Sequence, residues 1–414
     1  MRNIILITID ALRADHCSFM GYKRKTTPTL DKMAKDGLYF ENAIAHSVPT
    51  APSIFGILTG EYPLIDSTIK GDWRSEIARN TVLPQKLREL GYTCIAFQTN
   101  PWLSRYFGFN KGFDYYIELT SERDAINLKY YKGGSLLLKV LKWTKNEWFY
   151  INWNKFYSSF IGELSKIRKP YFAWIHLLEP HFPYVIPRKF KKWSKNNLYI
   201  NFLHWKLGRR KILKPNEQKE LINAYDDCIR YADFFLEKLK SDLEADEPIL
   251  IISSDHGEEF WEHGSYGHEV ENVHDVLYET IIHVPLVIYN TGVRGKIREP
   301  ISLLKLHDII LDLAYDKFSS ILNKTEKFVI SKVFESGKRR ISVRSWKWKY
   351  IMGQRQIEEL YDLEKDPYEQ ENLIRDYPKL AKELKAIVRN HIRREIELRK
   401  IRDICDKFRR RKKL

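Results

Sequence analysis

The chain has 414 residues, 43% of them hydrophobic, which suits one large domain with a smaller partner, and no apolar run reaches the roughly eighteen residues of a membrane span. Its net charge of +16 is uneven: residues 389–414 hold twelve Lys or Arg against four Asp or Glu, so +8 of the excess sits in the last 26 residues. Four scattered cysteines, Cys17, Cys94, Cys228 and Cys405, show no CxxC spacing and suggest neither a zinc knuckle nor a disulfide framework, while Met1-Arg2-Asn3 leads straight into a core-like strand with no signal-peptide pattern, so the expected compartment is cytoplasmic.

Strand-like apolar runs fall at 3–9, 92–98, 171–177, 249–254 and 284–289, separated by helix-patterned stretches. Leu83 to Leu90 reads as a helix closed by Gly91, and Glu217 to Leu239 as a longer one. This alternation predicts an α/β fold, a mixed and mostly parallel sheet flanked by helices, over residues 1–300. Residues 115–168 and 187–216 interrupt the rhythm with Trp143, Trp148, Trp153, Trp193 and Trp205 among many Lys and Arg. Such insertions either shape a pocket for a sugar or polyanion or pack as a helical cap. Over 301–380, the segments Ile341 to Arg344, Lys349 to Ile351 and Glu358 to Leu363 predict a small antiparallel sheet with a helix packed on it. Residues 381–414 form a basic tail carrying Ile392, Ile396 and Ile404, either a solvated helix with a frayed end or one that lies on an anionic membrane.

Candidate chemistry sits at strand ends. Asp10 directly follows Ile4 to Ile9, and Asp255-His256-Gly257 follows Ile249 to Ser254, while Thr50-Ala51-Pro52-Ser53 offers a hydroxyl at the head of a helix. Open α/β sheets bind ligands at the carboxyl ends of their strands, so this is the layout of a metal-activated nucleophile. A divalent cation held by Asp10, Asp255 and His256, with the Thr50 hydroxyl as a further ligand, would lower the pKa of that hydroxyl and orient it for in-line attack. Taken singly, Asp10 and Asp255 read first as N-cap acids at strand-to-helix turns.

The motifs and their order resemble the sulfatase branch of the alkaline phosphatase superfamily. Asp10 to Asp15, Thr27-Pro28-Thr29-Leu30-Asp31 and Gly37 to Phe40 resemble its opening, and Thr50-Ala51-Pro52-Ser53 with Leu58-Thr59-Gly60 its nucleophile motif. Glu179-Pro180-His181-Phe182-Pro183-Tyr184, Ser254 to Glu258, Glu262-His263-Gly264, Leu277-Tyr278-Glu279 and Val284-Pro285-Leu286 follow in family order, and Glu359 to Leu363 with Asn372-Leu373 resembles its closing hairpin. The resemblance implies an alkaline-phosphatase-like fold and a hydrolase of phosphate or sulfate esters. It further implies Thr50 as nucleophile, Asp10, Thr50, Asp255 and His256 as metal ligands, His181 on a substrate oxygen, and His274 as the group that protonates the leaving group. Asn100 follows the run Cys94 to Thr99 and either binds a substrate oxygen or caps a loop; His176 and His268 are weaker candidates.

Three departures from the sulfatase pattern shape the expected reaction. Thr50 stands where sulfatases carry the Cys or Ser that becomes formylglycine, Ile54 where they carry an activating Arg, and Ala11 and His256 where they carry oxygen ligands for calcium. Imidazole in the ligand set favours Mn²⁺ or Zn²⁺ over Ca²⁺. Without an Asp-x-x-x-His pair, one metal is expected, and the threonine branches of the superfamily point to phosphate or phosphonate esters before sulfate. A transferase passing a phospho-substituent to a glycan or lipid is the alternative. A nucleic-acid-binding module fits poorly, since such a module has no need of Asp10, Thr50, Asp255 and His256 together.

Overall fold

The computed structural model describes residues 1–65, 71–118, 153–209, 212–268, 277–335, 338–353 and 357–411. At its centre lie β1 (Ile4–Ile9), flanked in parallel by β5 (Tyr171–Leu177) and β6 (Ile249–Ser254), all three fully buried. A strand covered on both faces reads as an unbroken apolar run, and IILITI and ILIISS are such runs. With β2 (Leu38–Ile44), β3 (Thr93–Gln98), β4 (Tyr115–Glu118), β9 (His283–Tyr289) and β10 (Gly295–Ile297), the order across the sheet is β10-β2-β9-β6-β1-β5-β3-β4, and β11 (Ile301–Ser302) extends the edge beside β2. Only β9 runs against its neighbours β2 and β6; the other pairings are parallel. A hairpin of β7 (Glu259–Phe260) and β8 (Tyr266–Gly267) stands apart from this sheet.

Alternation along β1 splits the core in two. Ile4 and Leu6 face a cluster that takes in the helices Thr50–Thr59, Leu83–Glu89 and Lys305–Ala314. Ile5, Ile7 and Ile9 face a second cluster built with Pro28–Asp36, Trp153–Leu164 and Pro215–Asp242. The α/β architecture predicted from the apolar runs is therefore the one observed.

Beyond it, β12 (Val329–Glu335), β13 (Lys338–Arg344), β14 (Trp348–Met352) and β15 (Glu358–Asp362) form an antiparallel sheet in sequence order. The helix Pro378–Arg411 lays Ala381, Leu384 and Val388 on Ile341, Val343, Tyr350 and Leu360. Past the boundary expected at residue 300, Ile301, Leu303, Leu306, Ile309, Ile310 and Leu313 are still buried in the first cluster of the main domain, as are Val329 and Val333 of β12. The tail expected from 381 begins at Pro378 and is part of the small domain's core.

The described part of the first aromatic insertion is core packing rather than pocket wall. Trp153 is buried, stacks on Tyr231 at 5.1 Å and donates its indole N–H to the Tyr231 carbonyl at 2.9 Å. Trp143 and Trp148 lie outside the described residues. Among the described residues, no helix is long and apolar enough to cross a membrane.

Candidate active site and metal centre

The sheet register sets the site. Ile9 sits level with Leu177 on one side and Ser254 on the other, so the next residues, Asp10 and Asp255, leave the sheet side by side at its carboxyl edge. The backbone turns sharply there. Ala11 adopts a left-handed φ of 60°, and its N–H points at Asp255 Oδ1, 3.1 Å away. The His256 N–H donates to the same oxygen at 2.9 Å. Gly257 is required by close approach, since a Cβ there would lie 2.1 Å from the Thr280 carbonyl.

Each carboxylate thus has one oxygen held and one left over. Asp10 Oδ2 accepts from Asn100 Nδ2 at 2.8 Å and from His176 Nε2 at 3.2 Å. Asp10 Oδ1 and Asp255 Oδ2 are buried and meet no hydrogen-bond donor among the described residues. Between these two free oxygens stands His256 Nε2, 3.8 Å from Asp10 Oδ1 and 3.5 Å from Asp255 Oδ2. Its partner nitrogen Nδ1 lies 2.9 Å from the Gly257 carbonyl and so carries the proton, leaving the Nε2 lone pair directed inward. The Thr50 hydroxyl completes the group at 3.3 Å from His256 Nε2. Atoms sharing one ion at roughly 2.1 Å lie about 3 to 3.5 Å apart, so two orphaned carboxylate oxygens, one unprotonated imidazole nitrogen and a hydroxyl fit a single divalent cation. The four residues expected as ligands converge here.

Burial alone would raise the Asp10 pKa, but His181, His176 and His256 outweigh it and hold the carboxyl ionised, below the usual range. Burial, helped by the neighbouring His268, holds His256 below the ordinary imidazole value and therefore in its neutral, ligating form.

Thr50 opens the ten-residue helix Thr50–Thr59 and is buried. Its hydroxyl thus lies at the positive end of a helix dipole, which favours negative charge developing on oxygen. Ser53 pins this helix to the metal-ligand loop by donating to the Asp255 carbonyl at 2.7 Å. Ile54 is wholly buried in the first core cluster, so the position where sulfatases carry an activating Arg is apolar packing here.

Neighbours fix the hydrogen bonds of two further candidates. Asn100, read as either a substrate-oxygen contact or a loop cap, donates an amide N–H to Asp10 and accepts from Trp102 N–H at 3.0 Å, so it caps a short helix and orients Asp10. His176 offers a nitrogen within 4.8 Å of both carboxylates, yet the network makes it a donor. The ionised Asp10 carboxylate can only accept, so His176 turns an N–H on Nε2 toward it, while its Nδ1 lies 2.8 Å from Thr8 Oγ1, which accepts from Trp174 Nε1 at 3.0 Å and lies 3.4 Å from the Ile175 carbonyl.

His181 comes to the rim, its ring centroid 5.0 Å from that of His268, which in turn is 4.2 Å from His256. Sequence alone ranked His268 low. It is buried, and Glu258 Oε1 binds its Nδ1 at 2.7 Å; burial opposes protonation, but the Glu258 carboxylate prevails and pushes the pKa up to about 9. No spacing rule links Glu258 to His268; the β7–β8 hairpin brings them together. His274 lies outside the described residues. Glu179 faces inward to the Trp153 N–H at 3.2 Å, and burial raises its pKa to about 7.

The sulfatase family model matches residues 2–316. The chain belongs to the sulfatase family. A sulfatase of Formosa agariphila is 22% identical over 89% of this chain and 82% of its own length. Human iduronate 2-sulfatase is 24% identical over 70% of this chain and 60% of its own. Among solved structures, the phosphonate monoester hydrolase of Agrobacterium radiobacter superposes with a TM-score of 0.70 at 17% identity, covering 95% of this chain and 96% of that one. As a sulfatase-family enzyme the chain is a hydrolase of sulfate or phosphate esters, and the family uses a divalent metal ion, for which the Asp10 and Asp255 pocket is the candidate site.

Proposed function

We propose that this sulfatase-family chain hydrolyses phosphate or phosphonate esters in preference to sulfate esters, with Thr50 as the nucleophile. The observation that carries this reading is the threonine at the metal-facing end of the helix Thr50–Thr59, 3.3 Å from His256 Nε2. A threonine has one hydroxyl and cannot form the aldehyde hydrate whose second hydroxyl expels sulfate from a formylglycine adduct. A phosphothreonine can instead be opened by water attacking phosphorus, with the Thr50 oxygen leaving as it regains its proton. A divalent ion held by Asp10, Asp255 and His256 would acidify the Thr50 hydroxyl and neutralise charge on a non-bridging oxygen. Imidazole among the donors supports Mn²⁺ or Zn²⁺ over Ca²⁺.

The chain's own residues do the rest. Asn100 and His176 hold Asp10 in one orientation, and the Ala11 and His256 N–H groups hold Asp255. His181 and the Glu258-held His268 present imidazoles to the substrate's anionic oxygens and to the leaving group. The phosphonate monoester hydrolase fold neighbour and the absence of an Arg at position 54 support phosphoryl chemistry, and the iduronate 2-sulfatase relative supports a sugar-borne ester.

A panel of nitrophenyl phosphate monoester, diester, phosphonate and sulfate, each with Mn²⁺, Zn²⁺ or Ca²⁺, tests the reading. Phosphate or phosphonate turnover should exceed sulfate turnover and disappear in Thr50→Ala. Faster sulfate hydrolysis under matched conditions would overturn the preference, and full activity of Thr50→Ala would remove Thr50 from the role.

A further inference from the structure

We propose that the C-terminal helix Pro378–Arg411 docks the enzyme on an anionic membrane surface through the face it turns away from the body. Its two faces differ sharply. On the inner side, buried Glu395 pairs with Lys332 at 3.4 Å, Arg339 at 3.4 Å and Arg399 at 2.7 Å, and Arg402 pairs with Glu76 at 2.8 Å and reaches the Leu64 carbonyl. These contacts fix the helix against both the small sheet and the main domain as far as Arg402. At 100° per residue, Arg393, Ile396, Glu397, Lys400, Ile401 and Ile404 fall on the opposite side. Ile396, Ile401 and Ile404 are 43%, 58% and 53% exposed. Among the described residues, Arg389, Arg393, Arg394 and Lys400 are exposed and enter no ion pair, and the sequence continues with Lys407 and Arg409-Arg410-Arg411-Lys412-Lys413.

Three exposed isoleucines among uncompensated cations on one rigid helix match the chemistry of an acidic bilayer surface, whose acyl boundary takes the side chains while its headgroups take the charge. Charge decides among the other occupants. A second copy would bring its own +8 tail against this one. A nucleic-acid backbone would satisfy the cations but has no place for the isoleucines. Glu397 and Asp403 lie exposed on the same segment and subtract from the attraction without reversing it.

The test is co-sedimentation of the full chain with vesicles of phosphatidylcholine alone or mixed with phosphatidylserine, at low and raised salt. Binding should need phosphatidylserine and weaken with salt. The double substitution Ile401→Asp with Ile404→Asp should lower partitioning by about tenfold or more, and Lys400→Glu should weaken it further. Thermal melting and nitrophenyl phosphate turnover in solution should be unchanged, since these side chains are exposed and distant in sequence from every site residue. Equal binding to both vesicle types, or partitioning that the isoleucine substitutions leave intact, would overturn the proposal. So would self-association abolished by the same substitutions, or capture of duplex DNA in preference to the vesicles.

Discussion

Two clusters of buried carboxylates in this enzyme are built in opposite ways. Asp10 and Asp255 each keep one buried oxygen that meets no donor among the described residues. Glu279, by contrast, is met by Arg344 at 2.9 Å and Lys349 at 3.2 Å, and Glu369 by Lys349 at 2.7 Å. Burial would raise the Glu279 pKa, but Arg344 and Lys349 hold it below the usual carboxylate range. In the second cluster both charges are in place, and they staple the small sheet to the main domain. In the first, two carboxylate oxygens are left without a donor among the described residues, and this difference in pairing separates the structural acids from the candidate ligands.

Breaking each cluster should therefore have a different cost. Asp255→Asn should lower turnover by three orders of magnitude or more, over about 4 kcal/mol of transition-state stabilisation. The urea midpoint of the chelated protein should hold or rise, because an uncompensated buried charge has been removed. A marked loss of stability without metal would erase the distinction. In the stapling cluster, Glu279→Gln should leave Arg344 and Lys349 facing no charge and cost about 4 kcal/mol in urea unfolding. A cost under about 1 kcal/mol would show that the ion pairs are replaceable by solvent.

Glu179 sharpens the contrast as a buried acid that enters no ion pair among the described residues. Its folded pKa of about 7 lies above the ordinary value of 4.5. The stability of its neutral form is therefore fully present below pH 4.5 and lost as pH rises through 7, on the order of 3 kcal/mol in all. Glu179→Gln should flatten that decline in unfolding measured from pH 5 to 8; an unchanged slope would assign the decline to other groups. Smallest is Asn100→Ala, which removes one of two donors to Asp10 Oδ2 and should weaken Mn²⁺ binding tenfold or somewhat more, about 2 kcal/mol. Unaltered metal affinity with slower turnover would return Asn100 to the substrate.

The central strands were legible because a doubly covered strand has no polar face: β1, β5 and β6 read as such, and their end residues Asp10 and Asp255 with them. Less legible was β2, where Glu41 and Asn42 interrupt the apolar pattern at a register shift between Phe40 and Ala43. The packing just past residue 300 was hard to read because β11 and the helix Lys305–Ala314 are apolar pieces whose sequence does not say which side they cover. Candidate ligands followed from motif and chemistry, but the hydrogen bonds of Asn100 and His176 depend on which way an amide and an imidazole turn, and that is set by neighbours distant in sequence, Asp10 above all. The Glu258 and His268 pair is ten residues apart and is joined only by a hairpin.

The reading of Asp10 and Asp255 as ligands is tested most directly by diffraction at the manganese absorption edge from crystals equilibrated with Mn²⁺. One anomalous peak is expected within about 2.3 Å of Asp10 Oδ1, Asp255 Oδ2 and His256 Nε2, with Thr50 Oγ1 at its open side. A peak elsewhere, or none with these oxygens still facing each other, would contradict it.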